Sequence, residues 1–308
     1  MDAKIAEKIN RVAGDTTHGA SWLTKQAIGI LSLTARESRA QTIGEFVDEI
    51  RRVTLAVAKA RPSMVSLANY ANFFLAQILE AREQKDLPAL KSYALTKGLE
   101  LAKNSKQAFS KTIEYASSII TDTDTVATCS YSSTVCQVLE LAKRKGTSFQ
   151  VIIAQSSFGN ANYGETLAAE LATCSIPTQI IADKDIHRQI ARATKALIGA
   201  DTITADGNLI NGTPSLALAR ASKTKQIPLF VVCETSKFDF FGYASAFREP
   251  GFDNIPLDMC TAVITEKGTM RPELVTTYIQ QKTEEMTRLL QGDKLALRDT
   301  IDQEQVGK

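Results

Sequence analysis

Histidine is rare in this chain of 308 residues, and its cysteines form no close pairs. His18 and His187 are the only histidines, and neither an HExxH nor a CxxC motif occurs. Zinc sites are built from histidine, cysteine and carboxylate ligands at short spacings, so the sequence argues against a metal site of this kind. The five cysteines are odd in number, and the polar N-terminus is unlike a secretion signal. We therefore expect reduced thiols and a cytoplasmic protein.

A long apolar run and a strong net charge are also missing. The uncharged, largely apolar stretch at residues 62–79 is interrupted by Ser66, Asn69, Asn72 and Gln77, whereas crossing a bilayer takes roughly 20 mostly apolar residues. The net charge of +2 is too small to indicate a nucleic-acid partner. No Walker motif occurs, and no GxGxxG follows a strand pattern. We expect no membrane association, no nucleic-acid partner and no cofactor.

The first 120 residues show apolar residues at helical spacing and no convincing strand. Residues 42–60 are an example, because their apolar positions fall on one face of a helix. We predict an all-helical N-terminal domain over residues 1–120. Its helices are expected at residues 2–13, 19–36, 42–60, 63–83 and 88–118.

Short apolar runs alternate with helical patterns after Asp122, as in βαβ units. We predict an α/β fold in which a Rossmann-like parallel sheet flanked by helices occupies residues 121–308, with 291–308 as a charged tail. Strands are expected at residues 125–129, 149–155, 178–182, 196–200, 228–233 and 262–265. Helices are expected after the first strand through Arg144, at 164–172, from about 185, at 215–223 and at 272–290.

The stretch from Ala196 to Phe238 gathers polar residues at the ends of buried strands. Its first apolar run is followed by Asp201, while Asp206-Gly207 and Asn211-Gly212 are typical turn signals. Thr213 is predicted to cap a helix whose first residue is Pro214. Open α/β sheets bind ligands at this edge, where helix N-termini also offer N–H groups to anions.

Cys129 ends the first predicted strand, and Asp201 ends the fourth. Because parallel strands point the same way, both side chains should emerge at the same edge of the sheet. A thiol and a carboxylate that face one substrate can act as an acid/base pair. The structural alternative is a small buried cysteine and an aspartate that belongs to a turn.

Three segments resemble a known family: GADTITADGNLINGT (199–213), IPLFVVCETSKF (227–238) and FDNIPLDMCTAVITEKG (252–268). The family joins the alpha, beta and delta regulatory subunits of translation initiation factor 2B to ribose-1,5-bisphosphate isomerase and methylthioribose-1-phosphate isomerase. The resemblance implies a sugar-phosphate aldose–ketose isomerase with Cys129 and Asp201 as its catalytic pair. It also implies a phosphorylated sugar or nucleotide as ligand, and a homodimer or higher homo-oligomer.

Phosphate and substrate ligands are implied by the same resemblance. Arg61 matches an Arg-Pro-Thr motif, and the helix start at Gly19, with Arg11 upstream, resembles a glycine-alanine turn. Arginine would supply a permanent forked charge to a phosphate group. The implied binding residues are Arg11, Gly19, Ala20, Ser21, Arg61, Gln155, Gly164, Asn211, Gly212, Thr213 and Lys237.

Two departures from the isomerase pattern keep other functions open. Asn211-Gly212-Thr213 stands where the isomerases have Asn-Lys-x-Gly-Thr, and Ser156-Ser157-Phe158 replaces a segment that carries arginine and proline. One alternative is a non-catalytic initiation-factor-2B-related subunit that binds a sugar phosphate or nucleotide and acts in assembly or translation regulation. Another is a true translation factor subunit that binds a partner GTPase. The aromatic segment 238–252 would serve as a subunit contact or as a buried loop.

Overall fold

The computed structural model describes residues 1–15, 18–244 and 250–290. The chain forms two compact units. The helical unit contains Met1–Ser105, Phe240–Gly242 and the described residues from Tyr278 onward, and the sheet unit contains Lys106–Asp239 and Tyr243–Thr277. The domain boundary at residue 120 stays a prediction, and the predicted tail at 291–308 lies outside the described residues.

Five helices form the N-terminal region, as the apolar spacing predicted. Side chains of Asp2 and Thr42 cap the first and third helices by accepting from the backbone N–H groups of Lys4 and Glu45. Fully buried side chains such as Phe46 and Phe74 fill the space between the helices. The helices are α1 (Ala3–Gly14), α2 (Ala20–Glu37), α3 (Ile43–Ala60), α4 (Val65–Ala81) and α5 (Leu87–Ser117).

Besides the last turns of α5, the sheet unit contains twelve strands and five helices among its described residues. The strands are β1 (Thr125–Thr128), β2 (Gln150–Ala154), β3 (Ser157–Phe158), β4 (Ala161–Asn162), β5 (Thr178–Ile181), β6 (Lys195–Ile198), β7 (Thr202–Ile203), β8 (Asn208–Gly212), β9 (Leu229–Val232), β10 (Phe252–Pro256), β11 (Ala262–Thr265) and β12 (Gly268–Met270). The helices are α6 (Ser133–Arg144), α7 (Tyr163–Thr173), α8 (Ile186–Gln189), α9 (Ser215–Lys225) and α10 (Pro272–Leu289), which continues into the helical unit.

Seven strands form the central sheet in the order β12-β11-β9-β6-β1-β2-β5. All neighbours are parallel except β11 and β12, which are antiparallel. The strand order runs outward in both directions from β1 and β6, as in the doubly wound Rossmann topology. The predicted parallel sheet is confirmed, and the antiparallel edge strand β12 was not predicted.

A separate three-stranded antiparallel sheet, in the order β10-β8-β7, corrects two details of the prediction. Asn211-Gly212 does not form a turn, because both residues belong to β8 and pair with β10. Thr213 is not the helix cap, since α9 begins at Ser215 and Pro214 occupies the cap position. Asp206-Gly207 does form the turn between β7 and β8, with Gly207 at a φ of 81°.

One further expectation changes in the structure, and one of two alternatives is favoured. The helix expected from residue 185 is the single turn α8, which lies between two short 3₁₀ turns. The aromatic residues Phe238, Phe240, Phe241 and Tyr243 are buried within the chain, as expected of a buried loop, while residues 245–249 lie outside the described part. Among the described helices, none has both the length and the apolar composition that a membrane crossing requires.

An ion pair ties β1 to β6 at the start of both strands. Lys195 Nζ lies 2.6 Å from Asp124 Oδ2 and also donates to the carbonyl oxygen of Ile119, and both charged side chains are mostly buried. Thr194 Oγ1 donates to the other carboxylate oxygen at 2.6 Å. Burial alone would raise the pKa of Asp124, but hydrogen bonds from Lys195, Thr194 and Thr121 outweigh it and hold the pKa below its ordinary value.

Removing this carboxylate should destabilise the protein strongly. Breaking a buried ion pair costs about 3–5 kcal/mol, so we expect Asp124→Asn to lower the free energy of unfolding by about 3 kcal/mol in urea titrations at pH 7. Because the pKa of Asp124 is lowered on folding, its contribution is present above the ordinary value of 3.8 and is lost as the pH falls below it. The difference between wild type and variant should therefore shrink at pH 3.

The control is Asp258→Asn, because Asp258 pairs with Lys223 at 3.5 Å on an exposed surface. Exposed pairs contribute roughly 0–1 kcal/mol. Equal losses in the two variants would contradict the assigned role of Asp124.

Candidate active site

The carboxyl ends of β1 and β6 form the switch point of the central sheet. These neighbouring strands are paired in parallel, with Ala127 opposite Ala196, and the strand order reverses between them. Open α/β sheets bind ligands in the crevice at this point. Cys129 directly follows β1, and Asp201 follows β6 by three residues. The two residues predicted to be catalytic therefore follow the two strands that flank the switch point.

Cys129 is a buried, neutral thiol. Its side chain is 2% exposed, and its Sγ lies 3.3 Å from Ser215 Oγ. Burial raises the pKa of Cys129 to about 12, with the carboxylates of Asp253 and Asp183 adding to the rise and the Ser215 hydroxyl opposing it. At neutral pH this group is a proton donor rather than a thiolate.

Asn211 connects Cys129 to the small sheet. Its Nδ2 donates to Ser215 Oγ at 2.8 Å, and Ser215 Oγ donates to the carbonyl oxygen of Gly212 at 2.6 Å. Asn211 pairs with Asp253 across β8 and β10. Residues paired across antiparallel strands place their side chains on the same face.

Asp201 lies next to Asn211 because it directly precedes β7, the second strand that pairs with β8. Its backbone N–H donates to the carbonyl oxygen of Ile210 at 2.9 Å, and Thr202 pairs with Ile210. Extending that register by one residue sets Asp201 opposite Asn211. Asn211 thus lies between Asp201 and Asp253 in the register, and through Ser215 it reaches the sulfur of Cys129.

A second cluster of charges surrounds Cys233 at the end of β9. Burial raises the pKa of Cys233; the Lys237 ammonium opposes this, while the carboxylates of Glu234, Glu266 and Asp201 add to it. Asp201 and Lys237 are therefore close enough to act on the same thiol. Asp201 thus acts on Cys233, and by the register of β7 and β8 it also lies opposite Asn211 of the Cys129 cluster.

Two charged residues in this cluster are buried without complete pairing. Lys237 is 5% exposed, and its ammonium group has no ion pair or hydrogen bond with any described residue. Glu234 is 6% exposed, and its Oε2 has no hydrogen-bond partner among the described residues. Buried charges are normally paired, so both atoms are suited to complete their bonding with a polar ligand.

Gly164 has a packing role that accounts for its identity. A Cβ atom at this position would lie 2.2 Å from the carbonyl oxygen of Ala154 and 3.0 Å from that of Gln155. The N–H of Gly164 donates to the carbonyl oxygen of Gln155 at 3.0 Å, and the N–H of Gln155 donates to that of Ile181 at 2.8 Å. Both predicted ligands are thus fixed by main-chain contacts where α7 packs against the end of β2.

Gly212 and Thr213 are held by neighbouring loops. A Cβ atom on Gly212 would lie 2.4 Å from Ser130 Oγ, so the hydroxyl of Ser130 occupies the space that a side chain would need. The N–H of Thr213 donates to the carbonyl oxygen of Gly251 at 2.9 Å. Ser130 follows Cys129 directly, and its N–H donates to Ser156 Oγ at 2.7 Å.

The remaining predicted ligands lie in the helical unit. Gly19 caps α2, Ala20 is buried in its first turn, and Ser21 follows. Arg61 ends α3 and donates through Nη1 to the carbonyl oxygen of Asp15, near the start of α2. Arg11 forms an exposed ion pair with Glu7 at 2.5 Å on α1. Arg61 is therefore tied to the segment before Gly19, whereas Arg11 has its own partner.

Sequence reasoning missed several residues of the site. Ser215 and Asp253 contact or influence Cys129, and Asp253 Oδ2 also accepts from the N–H of Leu216 in the first turn of α9 at 2.8 Å. Asp183 accepts from the N–H groups of Ser156 and Ser157 at 2.7 and 3.1 Å. Asp253 lies within one of the segments that carry the family resemblance, which is the signal that could have identified it.

An alanine at Gly164 should destabilise the protein because its Cβ would overlap a backbone oxygen that cannot rotate away. We expect Gly164→Ala to lower the free energy of unfolding by about 2 kcal/mol or more in urea titrations. Gly44→Ala is the matched control, since nothing lies within 4 Å of a Cβ there and alanine favours helices. A Gly164→Ala protein as stable as wild type would contradict the packing role.

Comparisons with known proteins agree with this architecture. The chain is 30% identical over 287 residues to a protein of Pyrococcus furiosus named translation initiation factor eIF-2B subunit 2-like, with 88% of this chain and 98% of that protein covered. It is 27% identical to a ribose 1,5-bisphosphate isomerase of Thermococcus kodakarensis, with 87% and 90% covered. A solved Pyrococcus horikoshii translation initiation factor eIF-2B has a TM-score of 0.75 at 26% identity, with 88% and 98% covered. The model of the initiation factor 2 subunit family matches residues 16–241, so the chain belongs to that family.

Proposed function

We propose that this protein is an aldose–ketose isomerase acting on a sugar 1-phosphate, with Cys129 and Asp201 as its acid/base pair. The observation that carries the proposal is that these residues follow β1 and β6, the two strands at the switch point. The family includes relatives named as ribose 1,5-bisphosphate isomerases, which supports a phosphorylated sugar as substrate.

The protonation of Cys129 suggests how the two groups divide the reaction. Converting a cyclic aldose 1-phosphate into a ketose requires a proton on the ring oxygen as the ring opens, and the transfer of a proton from carbon 2 to carbon 1. The Cys129 thiol begins as the donor, because burial raises its pKa. Asp201 then accepts the proton from carbon 2 and returns it to carbon 1. The Cys129 thiolate left by the first step then takes the proton from the oxygen on carbon 2, which gives the ketone and restores the thiol.

Lys237 and Glu234 are suited to hold the substrate. The ammonium group of the largely buried Lys237 side chain would pair with a phosphate group, and Glu234 Oε2 would accept from a sugar hydroxyl. Because this ammonium has no ion pair or hydrogen bond with a described residue, its burial costs stability until an anion binds. This arrangement therefore ties ligand affinity to the stability of the sheet unit.

Turnover of ribose 1,5-bisphosphate and methylthioribose 1-phosphate tests the catalytic pair. General acid/base groups contribute about 10²–10⁴-fold in rate, so Cys129→Ser and Asp201→Asn should each lower kcat by at least about 100-fold. Cys174→Ser is the control, since Cys174 is partly exposed at the end of α7. Unchanged turnover in both Cys129→Ser and Asp201→Asn would refute the proposal.

Replacing Lys237 with methionine tests the ligand site separately. Methionine has a similar length without charge, so Lys237→Met should raise the Tm of the ligand-free protein while abolishing the increase in Tm that a sugar phosphate produces. Lys225→Met is the control, because Lys225 lies at the exposed end of α9. A ligand-induced shift that survives Lys237→Met would exclude an essential phosphate contact at this lysine.

A non-catalytic ligand-binding subunit is the second candidate. It is favoured by the absence from the segment 211–213 of the lysine that follows the asparagine in the isomerase pattern. The relative from Pyrococcus furiosus, named as an initiation factor subunit, points the same way. Thermal stabilisation by a sugar phosphate or AMP without turnover would support this candidate over the enzyme, and no response to any of these ligands would count against both.

A further inference from the structure

A groove of about 980 Å³ runs between α1, α2 and α5 within the helical unit. Its floor is one face of α2, where Trp22, Gln26, Gly29, Leu33 and Arg36 recur at helical spacing. At a rise of 1.5 Å per residue this face is about 21 Å long. The groove is therefore about as long as a four-turn helix.

The walls of the groove expose apolar side chains. Trp22 is 38% exposed on α2, and Leu99 is 63% exposed on α5. Gly29 of α2 also lines the groove and has no side chain. Nothing lies within 4 Å of a Cβ built at this site, so the floor has a recess there. An exposed aromatic ring, an exposed leucine and a recess are typical anchor positions for a partner side chain.

Basic residues form the rim of the groove. Lys4, Lys8 and Arg11 share one face of α1, and Arg36 ends the α2 face. Arg11 and Arg36 are paired with Glu7 and Glu37, whereas Lys4 and Lys8 form no ion pair with any described residue.

The acidic residue that lines the groove is Asp15, which hydrogen bonds His18 through both carboxylate oxygens at 2.8 Å. Because Arg11 and Arg36 are each paired with a glutamate, the excess positive charge of the lining comes from Lys4 and Lys8 against the carboxylate of Asp15. This positive charge complements an acidic ligand.

We propose that this groove binds an acidic amphipathic α-helix of another protein. Helix-in-groove recognition places apolar residues at i, i+3, i+4 and i+7 against an apolar floor. Here those residues would contact Trp22, Leu33 and Leu99, and the recess at Gly29 would receive one of them. Acidic residues on the flanks of the helix would face Lys4 and Lys8.

The test uses the full-length protein and a synthetic helical peptide of about 14 residues, with leucines at i, i+3, i+4 and i+7 and glutamates elsewhere. Trp22 is the single tryptophan of the chain, so its fluorescence reports directly on the groove. We expect the peptide to change this fluorescence with a Kd of about 10 μM or tighter. Calorimetric titration should give the same Kd.

Two variants test the floor and the rim separately. Gly29→Leu fills the recess on an exposed helix face, and Lys4→Glu with Lys8→Glu reverses the unpaired charges. Each should weaken peptide binding at least about 10-fold, which corresponds to 1.4 kcal/mol. Gly44→Leu and Lys225→Glu with Lys267→Glu are the matched controls and should bind like wild type. Thermal unfolding checks that each variant is folded.

Several results would overturn the proposal. One is that the wild type binds no peptide at about 100 μM. Another is that a peptide with lysines in place of the glutamates binds equally well. A third is that folded Gly29→Leu binds the peptide as tightly as the wild type does. A response of Trp22 to inorganic phosphate or AMP alone would assign the groove to a small anion. A dimer in sedimentation that Gly29→Leu dissociates would assign it to a second copy of the chain.

Discussion

The buried contact between Asp124 and Lys195 is the constraint on which the site depends. It joins β1 and β6 where both strands begin, together with the hydroxyl of Thr194. The four-residue strands that follow are short, so their starting points determine where the residues after them can lie. The ion pair at the N-terminal ends of β1 and β6 thus helps to fix the positions of Cys129 and Asp201 beyond the C-terminal ends of these strands.

The carboxyl edge of the sheet combines groups that are costly to bury. A neutral thiol, a lysine side chain and a carboxylate with one oxygen that no described residue hydrogen bonds lie there, largely buried. A core built for stability alone would replace such groups with apolar side chains. Groups of this kind are common at functional sites, and the proposed acid/base pair and ligand contacts make use of them.

Much of the fold could be predicted from the sequence because buried parallel strands and amphipathic helices leave local patterns. The strands that deliver Cys129 and Asp201 are examples. The small antiparallel sheet could not be predicted, since β8 pairs with β10 about 40 residues later and Asn211-Gly212 has the local composition of a turn. Asp253 and Ser215 were missed for the same reason. They lie near Cys129 because the folded chain brings distant segments together, which the residues next to them in the sequence do not reveal.

The close approach of Gly212 to Ser130 couples the evolution of two positions. In its present rotamer the Ser130 hydroxyl occupies the volume that any side chain at position 212 would enter. A mutation that adds a longer residue after Asn211 must therefore be accompanied by a new rotamer or a smaller residue beside Cys129. The side chain that position 212 can accept therefore depends on the rotamer and the size of the residue at position 130.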